Sequence, residues 1–275
     1  MPPSNRDRNS WFLLNAHSPM RLSLKGKVIQ IVEPERTGSE REPSLLFVHG
    51  AGCNASVWEA QADHFAGKHP AYLLELPGHG GSSPEGEALI SSYSAWAHLA
   101  ASSLFSAKPF VLVGHSMGGA VALETAVDPP ATLEGIVLVG TAAKLSVTHF
   151  IFQMLEENPE AFFQTIGQFA FSPSTPSAIR ERFIRAVRQC APSVIFDDFK
   201  ACDGFDIRDR LDRIHVPALI LCGAGDQLTP PRFSAYLEAN IPSSRLVTIP
   251  EAGHLVMTER PGAVNQAIED FLSEL

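Results

Sequence analysis

The first residue in this chain that could do chemistry is a lone hydroxyl at a sharp turn. In FVLVGHSMGGAVALETA (110–126), Ser116 stands between His115 and Met117. An apolar run ends on Gly114, and a run with helical spacing follows Gly118 and Gly119. A serine at a strand-to-helix turn is held in a strained backbone conformation, so its neighbours must be small, and its Oγ is lifted out of the sheet. At that point the N-terminus of the helix favours developing negative charge. A bare G-x-S-x-G occurs by chance in many chains. Its position between a strand pattern and a helix pattern sets this one apart from a structural turn with an incidental serine.

A serine hydroxyl is a weak nucleophile until a base removes its proton. A histidine, and an acid to orient it, must come from elsewhere in the chain; in the order of the fold that such an elbow marks, they follow the serine, acid first, at the carboxyl ends of later strands. ALILCG runs into AGDQLTPP and puts Asp226 on such a loop; RLVTIP runs into EAGHLV and puts His254 on the next. GIVLVG is followed by TAAK, which offers no carboxylate. Asp203, Asp206, Asp209 and Asp212 lie before the next strand and read as solvated or capping residues. Of the ten histidines, His115 flanks the serine, His79 sits in PGHGGSS and His49 ends an early strand; only His254 is on the last strand's exit loop. A developing oxyanion also needs two preorganised N–H donors. The expected pair is Met117 N–H, next to the nucleophile, and Ala51 N–H in HGAGCNASVW, with Gly52 as the alternative.

These residues need a frame. Apolar runs at 27–32, 44–50, 71–76, 110–114, 135–140, 218–223 and 245–250 are nearly continuous in hydrophobicity, the mark of strands covered on both faces. Helical spacing appears at about 56–66, 91–107, 117–127, 231–240 and 261–274, with Pro231 and Pro261 where a first helical turn accepts proline. The alternation predicts an α/β protein with a mostly parallel central sheet flanked by helices, and the first strand or two before Gly50 as antiparallel members. From 142 to 213 no strand pattern appears. That span reads as a helical cap, or lid, inserted in a core of 27–141 and 214–275, with 1–26 as an amino-terminal tail. Ten of the 17 phenylalanines fall between residues 150 and 205. Most should pack the insertion to the core, and a few should face an apolar ligand cavity.

With 275 residues and a 45% hydrophobic fraction, the chain can bury a large core; its formal charge is −9. No Lys/Arg cluster suits nucleic acid or an anionic membrane. The apolar run at 11–14 falls short of the roughly 7–15 residues of a signal peptide, and none reaches the ~20 of a membrane span. Four scattered cysteines read as reduced thiols. The expectation is a soluble cytoplasmic protein with no metal or organic cofactor and a small-molecule partner.

From about residue 27 to the end the chain resembles the α/β-hydrolase superfamily, in its branch of small capped enzymes. The motifs are FVHGAGCNASVW, ELPGHGGSS, GHSMGG, GAGDQLTPP and EAGHLVMTERP. Glu75 replaces the more usual aspartate, a structural position. The resemblance implies a serine nucleophile and excludes members whose covalent intermediate needs a carboxylate. It leaves carboxylesterases, enol-lactonases, carbon–carbon bond hydrolases, perhydrolases and a pyruvate-eliminating lyase. That lyase would want pocket arginines, yet Arg180, Arg182, Arg185 and Arg188 read more simply as a solvated helix face. A non-enzymatic ligand receptor is the rival from another class. The expected activity is hydrolysis of a small to medium, fairly apolar carboxylic ester or lactone through an acyl-enzyme.

Overall fold

In the computed structural model, residues 19–33 and 43–275 are described. The sheet begins with a hairpin, β1 (Met20–Leu24) and β2 (Lys27–Val32), paired antiparallel around Lys25 and Gly26. Both turn residues have positive φ, 48° and 79°, the backbone that a two-residue hairpin demands. The tail expected over 1–26 therefore stops short of β1, and residues 1–18 lie outside the described residues. β1 carries little sequence signal, because it is five residues long, sits at the sheet edge and is largely exposed.

The chain continues through β3 (Ser44–Val48), α1 (Glu59–Phe65), β4 (Ala71–Glu75), α2 (Ile90–Phe105), β5 (Phe110–His115), α3 (Met117–Val127) and β6 (Leu133–Val139). Four helices follow without a strand: α4 (His149–Glu157), α5 (Pro159–Phe169), α6 (Ser177–Val187) and α7 (Pro192–Asp203). Then come β7 (Ala218–Gly223), α8 (Pro231–Asn240), β8 (Ser244–Ile249), α9 (Val256–Glu259) and α10 (Pro261–Leu272). Among the described residues the sheet has eight strands, in the order β1-β2-β4-β3-β5-β6-β7-β8. β2 pairs antiparallel with β4, and every pairing from β4 through β8 is parallel. The strand order reverses at β3 and β5. Open α/β sheets place their ligands beyond the carboxyl ends of the strands at such a reversal.

β3, β4, β5 and β7 are buried along their whole length, so successive side chains feed two separate cores. Leu46, Leu112, Leu138 and Ile220 face α2 and α3; Phe47, Val113, Val137 and Leu219 face α1 and α10. Each fully buried aliphatic side chain contributes about 1.5–3 kcal/mol of transfer free energy, which is why the apolar runs are continuous rather than alternating.

Proline stands at the first turn of α5, α7, α8 and α10, where its missing N–H has no partner to lose. The helical segment between β6 and β7 is pinned at its base. There Ile207 N–H donates to Ala143 O at 2.8 Å and Leu145 N–H to Phe205 O at 3.3 Å.

Candidate active site

β5 delivers Ser116 to the turn with φ 53° and ψ −114°, the left-handed region that a residue with a Cβ seldom enters and that costs about 1–3 kcal/mol. Surrounding contacts hold it there. Ser116 N–H donates to Val139 O at 2.9 Å; its carbonyl accepts from Ala120 N–H at 3.1 Å and Thr141 Oγ1 at 2.8 Å. The flanking glycines are required by close approach. A Cβ on Gly114 would collide with the Gly118 carbonyl, and one on Gly118 with the Val48 carbonyl. Ser116 is partly exposed and caps the amino end of α3.

Asp226 leaves β7 on a tight loop. Its Oδ1 accepts Leu228 N–H and Thr229 N–H, each at 2.9 Å; its Oδ2 accepts Thr229 Oγ1–H at 2.8 Å and lies 2.8 Å from His254 Nδ1. Burial pushes this carboxyl's pKa up, but the His254 charge and hydrogen bond, with those from Thr229, outweigh it and leave the pKa below the usual value. His254 is itself buried. Its carbonyl accepts from His115 Nε2–H at 3.0 Å, and the two rings are 4.7 Å apart. Gly140, at the end of β6, has φ +55°, and a Cβ there would sit 3.2 Å from His254 O and 3.3 Å from Nδ1. The elbow, the exit of β6, the acid loop and the histidine loop thus meet at one sheet edge. Burial, then the charge of His254, pull His115 down to about 3, so its imidazole is neutral near pH 7.

The loop after β3 adjoins the elbow: a Cβ on Gly50 would lie 3.2 Å from Ser116 Cβ. Among the described residues, Ala51 N–H and Met117 N–H donate to no backbone or side-chain acceptor. Gly52 N–H is engaged elsewhere, donating to Asp198 Oδ2 at 2.8 Å. Sequence reasoning passed over Asp198, and it expected nothing of Tyr93. His79, considered there only as a loop residue, is buried against that carboxylate at 2.8 Å. The available signal was an acid on the inward face of an apolar helix, in PSVIFDDFKACD. Thr229 was also legible, since a threonine three residues after a loop aspartate suits an Asx turn. Asp203 and Asp206 stay at the surface, capping Val147 N–H and pairing with Lys144 and Arg208.

The model of the alpha/beta hydrolase family matches residues 45–267. This chain belongs to the alpha/beta hydrolase family. A pimeloyl-acyl-carrier-protein methyl ester esterase of Neisseria meningitidis serogroup A is 28% identical over 249 residues, covering 83% of this hydrolase and 76% of the relative. A 3-oxoadipate enol-lactonase of Acinetobacter baylyi is 25% identical over 248 residues, covering 84% and 89%. The solved structure of a thermophilic esterase superposes with a TM-score of 0.81 at 29% identity, covering 94% of this chain and 98% of that one.

Elsewhere in this hydrolase, Phe162, Phe163, Phe171 and Phe183 are buried in the core shared with α1 and α10, while Phe150 and Phe169 are exposed. Three of the four helical arginines are held by protein groups. Arg180 donates to the Ser172 and Thr175 carbonyls, Arg182 pairs with Glu59 and Arg188 with Glu160. Two cavities, of 390 and 200 Å³, flank Arg232–Tyr236 and Cys53–Cys190; neither is lined by Ser116, Asp226 or His254. The site is located by its chemistry rather than by a void. Among the described residues no cluster of three His, Cys, Asp or Glu could hold a metal ion, and no helix is long and apolar enough to cross a membrane.

Proposed function

We propose that this carboxylic ester hydrolase works through Ser116, His254 and Asp226, with the helical segment 142–213 as a cap over a small to medium, fairly apolar substrate. The observation that carries the reading is the 2.8 Å contact of a buried carboxylate with His254 Nδ1, on loops adjoining a serine held at positive φ. Ser116 Oγ attacks the ester carbonyl carbon as His254 Nε2 takes the hydroxyl proton. Asp226 keeps the Nδ1–H tautomer and stabilises the imidazolium. Ala51 N–H and Met117 N–H receive the oxyanion, each donor being worth about 10²–10³ in rate. Collapse expels the alcohol, which takes the proton from His254. A water molecule then gives a proton to His254 as it attacks the acyl carbon; the acyl–Oγ bond breaks, the acid leaves, and His254 returns the proton to Ser116 Oγ. A cytoplasmic location belongs to the same reading and is supported by four buried, free cysteines.

A lactone is the second reading, favoured by the relatedness to an enol-lactonase. The steps are the same, with the leaving alcohol tethered to the acyl group. The test is hydrolysis of p-nitrophenyl acetate and butyrate, of methyl esters and of five- and six-membered lactones by wild type and Ser116→Ala. Turnover should fall by about 10⁴-fold or more in the variant. Equal rates for the two proteins would remove the serine mechanism, and a higher kcat/KM on lactones would choose the second reading.

A further inference from the structure

Asp198 is fully buried and belongs to none of the steps above. It comes from α7, yet its partners come from three other parts of the fold. Oδ2 accepts Gly52 N–H from the loop after β3 and His79 Nε2–H from the loop after β4, each at 2.8 Å; Oδ1 accepts the Tyr93 hydroxyl of α2 at 2.5 Å. A carboxylate removed from water is strongly destabilising unless its lone pairs are matched and its charge is balanced. Burial pulls the His79 pKa down, but the charge and hydrogen bond of Asp198 prevail and hold it well above the ordinary value. The contact therefore favours the protonated imidazole of His79. Against it stand His49, kept neutral by burial and by the His79 charge, and Tyr93 and Cys53, whose pKa values burial raises.

Residues 50–53 form a turn closed by Cys53 N–H to Gly50 O at 3.1 Å, with φ +65° at Gly52. With Ala51 outside the positive-φ residues, that is the arrangement of a type II turn, which demands positive φ at its third residue. The central peptide here joins Ala51 to Gly52, and its N–H is the one Asp198 accepts. The preceding peptide carries Ala51 N–H, and its carbonyl is fixed by Cys53 N–H and His49 Nδ1.

We propose that Asp198 is a positioning residue for the oxyanion hole: through Gly52 N–H it anchors the 50–53 turn against α7 and so, with His49 and Cys53, fixes where Ala51 N–H lies, and it can do so only while the helical segment is seated. The proposal rests on the serine-hydrolase reading above. Docking of α7 and completion of the oxyanion hole are then one event.

The test compares Asp198→Ala and Asp198→Asn with wild type. A remote core variant, Phe105→Leu, controls for lost stability. Active sites are counted with a fluorophosphonate, and kcat and KM are measured on a p-nitrophenyl ester and its thionoester, whose C=S sulfur gains little from N–H donors. For Asp198→Ala, kcat per titrated site should fall about 10–100-fold on the ester, KM should stay within about threefold, and the ester-to-thionoester rate ratio should shrink by a similar factor. Asp198→Asn keeps the shape and one acceptor oxygen. Its kcat should lie between the other two, at least about fivefold below wild type, and it decides the matter if the alanine variant does not fold. Per-site kcat and rate ratio equal to wild type in the asparagine variant, or in both variants beside a lowered Tm like that of Phe105→Leu, would overturn the positioning role. Wild-type turnover that survives Ser116→Ala would instead overturn the serine mechanism, and the positioning role with it.

Discussion

In the proposed mechanism Ser116 takes its chemistry from groups that are themselves held tightly. Asp226 is fixed by two backbone N–H donors and the Thr229 hydroxyl before it meets His254. Asp226→Asn should therefore change the fold little while presenting an amide N–H to Nδ1, which selects the wrong tautomer. The expected loss is about 10³–10⁴-fold in kcat with KM nearly unchanged, read by steady-state kinetics on titrated enzyme. Gly140 is more demanding, since it combines φ +55° with a Cβ position 3.2 Å from His254 O. Gly140→Ala should lower stability by about 1–3 kcal/mol in a urea melt and reduce kcat as His254 shifts. A variant with wild-type melting and kcat would show that the histidine loop is not crowded there.

At the scale of elements, the helical segment reaches the loops of the candidate site from two sides. Besides α7 and Asp198, the stretch between α5 and α6 is tied to the histidine loop by Glu259 of α9. Its Oε1 accepts Gly253 N–H at 2.7 Å, and its Oε2 accepts Ser172 N–H at 2.8 Å and the Thr175 hydroxyl. His254 N–H and Leu255 N–H both donate to Ala170 O, at 2.9 and 3.1 Å. Removing the carboxylate strands two buried backbone donors. Glu259→Ala should cost about 2–4 kcal/mol and lower kcat, and Glu259→Gln, which keeps one acceptor oxygen, about half of that. Denaturant midpoints with parallel kcat values check this. An alanine variant as stable as wild type would show that the strap carries no load.

For the whole molecule, the buried histidines set the pH range of stability. His49 and His115 bind a proton near pH 6.5 when unfolded, but only far lower when folded, His115 at about 3. Their contribution is complete above pH 6.5 and is lost as pH falls below it, by up to roughly 1.4 kcal/mol per pH unit for each histidine. Asp226, whose pKa is lowered, adds a loss of the same sign below its unfolded value of 3.8. His79 has the opposite sign. Its raised pKa gives stability that is complete below pH 6.5 and is lost as pH rises through the folded value. The urea midpoint should peak near pH 6.5 and fall steeply by pH 5. A midpoint that holds steady between pH 6.5 and 5 would mean that His49 and His115 are protonated in the folded chain.

Seven of the eight strands among the described residues, the elbow, and the loops that carry Asp226 and His254 were legible in the chain. Each of these is written locally: continuous apolar runs with doubly buried strands, small residues where a turn crowds, and a carboxylate or imidazole just past a strand end. The sequence also determined that 142–213 would be helical. It did not determine which way those helices face. The phenylalanines expected to include cavity-lining rings are in large part packed into the α1–α10 core, and Asp198 lies 119 residues from His79 and 105 from Tyr93. The apolar pattern of PSVIFDDFKACD puts Asp198 on the inward face and leaves its neighbour Asp197 half-buried, but it says nothing of the groups that meet the carboxylate there. β1 was missed for the same reason, since an edge strand of five residues is defined by its partner. Periodicity and residue type act over a few residues, whereas the burial that selects a helix face and satisfies a carboxylate depends on what the fold brings opposite, and only the tertiary structure decided that.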